Sequence, residues 1–110
     1  MMYVDFHAGN KDYKLRLNTR NVVSLEQRLG CNPVMIFGKE GDAIPTVTCM
    51  VTILHAALQA YEHGVDMNKA YDIFDEWIAD GNAAVNFAKV ILDIYKVSGI
   101  VPDGDDEGKN

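Results

Sequence analysis

The spacing of apolar residues changes once along the chain, and this change most restricts the folds that the chain can adopt. Up to residue 18, apolar and polar side chains alternate, which is the period of a strand with one buried face. Beyond residue 18, apolar side chains recur at every third or fourth position, which is the period of an amphipathic helix. We therefore predict an α+β fold, mainly α, in which an N-terminal β-hairpin packs on a compact bundle of about four helices plus a short helical turn.

The alternating segment predicts a β-hairpin over residues 2–18. Residues 8–12 separate its two strands and include Gly9 and Asn10, which are residue types that tight turns favour. In the predicted register, the side chains that face the helices are Tyr3 (or Val4), Leu15 and Leu17. Because a two-stranded hairpin is marginally stable alone, it has to lie against an apolar surface.

Helical segments follow at about residues 19–30, 33–38, 46–63, 66–80 and 82–98. The predicted N-terminal caps, whose side chains can accept from the free amides of a first turn, are Asn18 or Thr19, Asp66 and Asn82. Gly30 is expected to end the first helix in a left-handed conformation.

Length and composition indicate one folded unit. A chain of 110 residues suits a single hydrophobic core, and 48% hydrophobic with 24% charged residues is ordinary for a globular protein. We predict one globular domain over residues 1–100. Residues 101–110 are mostly Asp, Glu and Gly, which predicts a disordered acidic tail.

The net charge of −6 is unevenly distributed. Residues 1–44 carry five acids and six bases, which sum to +1, whereas residues 45–110 carry eleven acids and four bases, which sum to −7. A local cluster of bases comprises Lys11, Lys14, Arg16 and Arg20. Because affinity for nucleic acid comes mainly from basic side chains spread over a surface, we expect no nucleic-acid partner.

No segment resembles a targeting or membrane sequence. The first ten residues lack a basic stretch followed by an apolar one, and residues 51–58 are too short to cross a bilayer. We expect a soluble cytosolic protein with no membrane partner, in which Cys31 and Cys49 are reduced thiols.

A first candidate metal site lies near the end of the helix predicted at residues 46–63. His55, Glu62 and His63 share roughly one helical face, but the position that a zinc-binding His pair would need holds Gln59. We expect a solvated helix end and no metal.

A second candidate is a row of acids on the next helix, Asp72, Asp75, Glu76 and Asp80. Carboxylates three or four residues apart could hold a divalent ion or transfer protons, but no His, Lys or nucleophile accompanies them. We therefore predict that the protein is not an enzyme and has no cofactor. A small enzyme with an acidic metal site at Asp72, Asp75 and Glu76 is the third and weakest hypothesis.

Protein binding is the function class that the residues favour. Phe74, Trp77 and Ile78 lie on the helix predicted at residues 66–80, and the adjacent Trp77 and Ile78 point about 100° apart on a helix. One edge of this apolar stripe could stay exposed as a docking patch, since Trp is frequent at binding hot spots. A place in the core is the alternative interpretation for each residue.

The order of several segments resembles one protein family. The segments are residues 25–33 (LEQRLGCNP), 36–37 (IF), 53–59 (ILHAALQ), 71–78 (YDIFDEWI), 94–95 (IY) and 98–99 (SG). Their order and spacing over residues 3–100 are similar to those of the tail assembly chaperones of long-tailed (siphovirus-type) phages and prophages of Gram-positive bacteria.

This resemblance implies a non-enzymatic protein that binds the tape measure protein, keeps it soluble and helps to recruit tail tube subunits. It also implies a place in the host cytoplasm during assembly, absence from the mature virion, and possible self-association along the tape. No catalytic residue is carried over.

The family resemblance also suggests a longer product made by ribosomal frameshifting. The chain ends in Gly-Lys-Asn at residues 108–110, and Lys-Asn encoded as AAA AAC after an A forms a slippery heptamer. Other codons at these positions would disprove this hypothesis.

A hypothesis of another class is a small acidic inhibitor that occupies a nucleic-acid-binding protein by charge mimicry. It predicts that carboxylates concentrate on the folded body.

Overall fold

The computed structural model describes residues 2–103 and contains a hairpin followed by helices. Strand β1 (Val4–Ala8) and strand β2 (Lys11–Leu15) are antiparallel. Within the described residues, the α-helices are α1 (Thr19–Leu29), α2 (Val47–Leu58), α3 (Met67–Ala79) and α4 (Phe87–Val97), with 3-10 helices at Pro33–Phe37 and Ala84–Asn86. The predicted α+β, mainly α fold is confirmed.

The hairpin closes more tightly than the predicted five-residue turn. Only Gly9 and Asn10 separate the strands, and Gly9 has a positive φ of 66°, which a two-residue turn with Gly in first position requires. The buried face of the hairpin consists of Phe6, Ala8, Tyr13 and Leu15, followed by Leu17. Val4 packs partly buried on the same face, which decides between Tyr3 and Val4 in favour of Val4.

Local signals set several helix ends as predicted. The Asn18 side chain accepts a hydrogen bond from the Asn21 amide at the start of α1. The Asp66 side chain does the same for the Lys69 amide at the start of α3. Gly30 ends α1 with a φ of 73°. The two side chains satisfy backbone amides that have no partner within the helix. Gly30 adopts the left-handed conformation that ends α1.

Helix α2 is shorter than the apolar pattern predicts. The pattern continues to residue 63, whereas the helix ends at Leu58. The side-chain amide of Gln59 donates to the carbonyl of His55 at 2.9 Å and to the carbonyl of Val65 at 2.8 Å. Gln59 therefore folds the chain back on itself, and the apolar residues beyond it lie in a turn.

Asn82 does not start the last helix. Helix α4 begins at Phe87 after a short 3-10 helix, and the side-chain amide of Asn82 donates to the Trp77 carbonyl at 2.8 Å. The prediction of Asn82 as an N-terminal cap is wrong, because a short polar side chain between two helices can serve the carbonyls that end one or the amides that start the next. Here it serves the end of α3.

The core lies between the hairpin and the helices. An aromatic cluster comprises Phe6, Phe74, Trp77 and Phe87, with centroid distances of 5.3 to 5.7 Å between contacting rings. Within residues 2–103, the buried side chains are apolar or aromatic, and among them Tyr13, Trp77 and Tyr95 carry a hydroxyl or an indole N–H. The fold is thus stabilised mainly by apolar burial.

The chain stays packed beyond the last helix. The amides of Ile100 and Val101 donate to the Tyr95 carbonyl, and both side chains lie against the core. The folded part therefore includes the first residue of the segment predicted as a tail. Residues 104–110, with the proposed slippage site, lie outside the described residues. No helix within the described part is long and apolar enough to cross a membrane.

Candidate functional site

The residues predicted as a docking patch lie mostly inside the protein. Phe74 and Trp77 are each only 6% exposed, because Phe6 of β1 and Phe87 of α4 cover their rings. Ile78 is half-buried at the edge of the core. Phe74 and Trp77 are therefore core residues in the folded chain, which agrees with the alternative interpretation, and their role in partner binding stays a prediction. A role for Ile78 stays a prediction.

The residues of the first candidate metal site contact different partners. Nδ1 of His55 accepts a hydrogen bond from Arg28 at 2.9 Å, and Glu62 pairs with Lys11 of the hairpin at 3.1 Å. Partial burial, and then the Arg28 charge, lower the pKa of His55, so its ring is more readily neutral.

The acidic row on α3 is exposed but is not arranged as a metal site. Asp80 accepts a hydrogen bond from the Gly9 amide at 2.8 Å, and the Glu76 carboxylate lies beside the same glycine. Within residues 2–103, no three His, Cys, Asp or Glu side chains come together to hold a metal ion. The two acids nearest the hairpin therefore help to dock its turn on α3.

The basic cluster is also tied to its own chain. The Lys14 ammonium lies 4.9 Å from the Tyr3 ring centroid and 5.7 Å from that of Tyr61. Arg16 donates to the carbonyls of Met2 at 2.8 Å and Val97 at 2.7 Å. These contacts join the hairpin to the helices, so Lys14 and Arg16 have structural partners within the chain.

The two cysteines are unpaired in the described part of the chain. Cys31 is exposed after α1, and Cys49 is half-buried in the first turn of α2.

A concave apolar surface, which we name the α4 groove, lies between α4 and the chain that follows α1. Its volume is about 590 Å³. The residues with apolar side chains that line it are Val34, Phe37, Ala43, Ala88 and Leu92. The charged residues at its edges are Asp42, Lys89, Asp93 and Lys96. This volume falls in the range of roughly 300–1,000 Å³ that binding sites typically have.

Tyr95 lies on α4 and holds the other wall of the α4 groove, which is formed by the residues that follow α1. Its buried hydroxyl donates to the Pro33 carbonyl at 3.0 Å, and its ring meets Phe37 edge-on at a centroid distance of 6.2 Å. Burial is the main cause that raises the pKa of the Tyr95 hydroxyl, which keeps it a protonated donor.

Gly38 shapes the loop that completes this wall. Its φ is 78°, and a Cβ atom there would lie 3.1 Å from the Cβ of Ala43. The Ala43 amide also donates to the Phe37 carbonyl at 2.8 Å. The loop therefore closes on itself, and the groove is formed before any partner arrives.

A second hollow, of about 430 Å³, lies on the hairpin side of α4. It shares Lys89, Asp93 and Lys96 with the α4 groove and is also lined by Tyr3 and Asp103. The exposed side of α4 is thus a charged ridge between two hollows. One sequence signal points to this surface: Leu92 lies beside the buried stripe of α4 and is 38% exposed.

Comparison with known proteins gives a family but no activity. No curated protein and no solved structure shows significant similarity to the chain. Residues 4–108 match a family of unknown function, DUF6096. Because the match covers nearly the whole chain, the protein belongs to the DUF6096 family.

Proposed function

We propose that this chain is a non-enzymatic tail assembly chaperone that binds the tape measure protein, keeps it soluble and helps to recruit tail tube subunits. The observation that carries the proposal is the α4 groove, a preformed apolar concavity on a protein of net charge −6. The resemblance of residues 3–100 to tail assembly chaperones supports the same function. The protein would act in the host cytoplasm during assembly and be absent from the mature virion.

The groove suits a long helical client for a physical reason. The apolar stripes of such a client aggregate when they face water, and covering them stabilises the complex by roughly 25 cal/mol per Å² of apolar surface buried. The acidic remainder of the chaperone keeps the complex soluble by repulsion between copies. Because Tyr95 and Gly38 hold the walls, little free energy is needed to order the site on binding.

Co-expression tests the proposal. The tape measure protein of the same gene cluster is produced with and without this chain, and the soluble fraction is purified on a tag on this chain and sized. We expect the tape measure protein to be soluble only with its partner and to elute with it, and tail tube subunits to join that complex. An insoluble tape measure protein, with this chain eluting alone, would contradict the proposal.

A second candidate function is an acidic inhibitor that binds a nucleic-acid-binding protein by charge mimicry. The observation that favours it is the exposure of Asp72, Asp75 and Glu76 along one helix of the folded body. Binding of this kind weakens strongly as salt is raised, because the Debye length falls from about 10 Å at 0.1 M to about 3 Å at 1 M. A complex that survives 1 M salt would favour the groove.

A further inference from the structure

Given the proposed function, we propose that the α4 groove binds one amphipathic helix of the tape measure protein, oriented by acidic side chains on the client that pair with Lys89 and Lys96. The inference rests on the proposed function for the identity of the client. The shape and charge of the groove are the arguments for the kind of segment and its orientation.

The shape of the groove favours a helix over an extended strand. One wall is α4 itself, whose backbone amides and carbonyls are largely used within the helix and offer no ladder to an added strand. From Ala88 to Lys96 this wall is about 12 Å long at 1.5 Å per residue, or slightly more than two helical turns. A client helix can lie along it at the usual 8–10 Å between axes, with the apolar side chains of two turns beside Leu92.

The charges at the edges of the groove define which side of the client is acidic. Lys89 and Lys96 stand on α4 seven residues apart, which is about 10.5 Å along the helix, and Asp42 stands on the opposite wall. Client carboxylates one heptad apart match this pair of ammonium groups. A basic client residue matches Asp42 on the other side of the stripe.

Two features indicate that the lysines can accept carboxylates from a client. Lys89 already contacts Asp93 at 3.1 Å, but its side chain is 79% exposed, and such surface pairs are weak enough to exchange partners. Asp103 lines the hollow on the other side of the same two lysines, so the chain itself places a carboxylate beside this ridge.

The experiment compares variants in the co-expression assay, with circular dichroism to verify folding. Leu92→Asp places a charge in the groove, and Val23→Asp, at a 48% exposed position on α1, is its matched control. The double variant Lys89→Glu and Lys96→Glu reverses the ridge, and Arg20→Glu with Lys69→Glu makes the same change in net charge elsewhere. We expect both groove variants to lower the retained tape measure protein about tenfold or more, and both controls to lower it less than about twofold.

A photoreactive amino acid in place of Leu92 then identifies the occupant by mass spectrometry. Attachment to a tape measure segment with an apolar stripe flanked by acids, and recovery of binding by Lys89→Glu and Lys96→Glu when those acids are changed to lysine, would support the inference. Attachment to a second copy, or to the C-terminal segment of this chain, would overturn it.

The two proposals fail in different ways. If the wild-type chain does not retain the tape measure protein, the proposed function fails. If the wild type retains it and the groove variants retain it equally well, the function stands and only the assignment of the groove is wrong.

Discussion

Removal of one hydroxyl group, in the variant Tyr95→Phe, tests whether the wall of the α4 groove is fixed by the contact between Tyr95 and Pro33. Phenylalanine keeps the ring and its edge contact with Phe37, but it leaves the buried Pro33 carbonyl without this donor. A hydrogen bond contributes about 0.5–1.5 kcal/mol net, and an unsatisfied buried partner costs about 1–3 kcal/mol. We therefore expect the free energy of unfolding to fall by about 1–2 kcal/mol.

Urea and thermal unfolding followed by circular dichroism at pH 7 measure this loss. For domains near this size, 1 kcal/mol corresponds to a decrease in Tm of roughly 4–8 °C. Tyr71→Phe is the matched control, because Tyr71 is 51% exposed on α3, and its change should stay within about 0.5 kcal/mol of wild type. Equal stability of Tyr95→Phe and wild type would refute the claim that this hydroxyl fixes the wall.

The same variant has a pH dependence of known sign. Burial first, and the nearby Cys49 and Cys31 next, raise the pKa of Tyr95 above its usual value of about 10. A raised pKa in the folded state means that the contribution of the hydroxyl is complete below about pH 10 and is lost as the pH rises through the folded value. The difference in stability between wild type and Tyr95→Phe should therefore shrink above about pH 10. A difference that grows there would show that the hydroxyl is ionised in the folded chain.

Three further substitutions test other parts of the structure by unfolding. Gly38→Ala should lose about 1–3 kcal/mol, because its φ of 78° and ψ of 170° are almost exclusive to glycine, and the 3.1 Å approach to Ala43 should add to this loss. Gly41→Ala, with a φ of 78° and open space around it, should lose less. Phe87→Ala should lose about 3–5 kcal/mol, because a fully buried ring leaves a cavity in the aromatic cluster; a loss below about 1 kcal/mol would contradict that burial. Asp66→Ala should lose about 1 kcal/mol with its hydrogen bond to the Lys69 amide, and an unchanged Tm would show that α3 does not depend on this cap.

The sequence predicted those features of the fold that depend on neighbours along the chain. Asn18, Gly30 and Asp66 act where they were expected, because a helix end is decided by the residues within one turn of it. The strand period and the helix period likewise depend on spacing alone, so the hairpin and the order of the helices follow from it. Asn82 and Gln59 are the local exceptions, since both side chains satisfy a helix end that lies behind them.

Contacts between distant segments could not be predicted in the same way. The apolar stripe of α3 shows that Phe74 and Trp77 face something apolar, but not whether this is the core or a partner. Phe6, about seventy residues away along the chain, decides the question by covering Trp77. No period in the sequence relates these positions.

The sequence did not predict the α4 groove for a related reason. One of its walls includes a loop with no repeating pattern, and this loop is held by the positive φ of Gly38 and by Tyr95, which belongs to the other wall. Each wall is ordinary in the sequence, and the concavity exists only where the two meet. The exposed Leu92 beside a buried stripe is a local trace of it, but single exposed apolar residues are common on soluble proteins.

The separation of core and groove decides how any partner hypothesis for this protein can be tested. Substitution of Trp77 by a small residue would leave a cavity in the aromatic cluster and lower the free energy of unfolding by several kcal/mol. Lost binding could then not be distinguished from lost folding. Leu92 has the opposite property, since it is 38% exposed and its replacement leaves the core intact. A variant of Leu92 that folds like wild type but loses its partner would therefore assign binding to the groove. A variant of Trp77 that loses both its fold and its partner would not show where the partner binds.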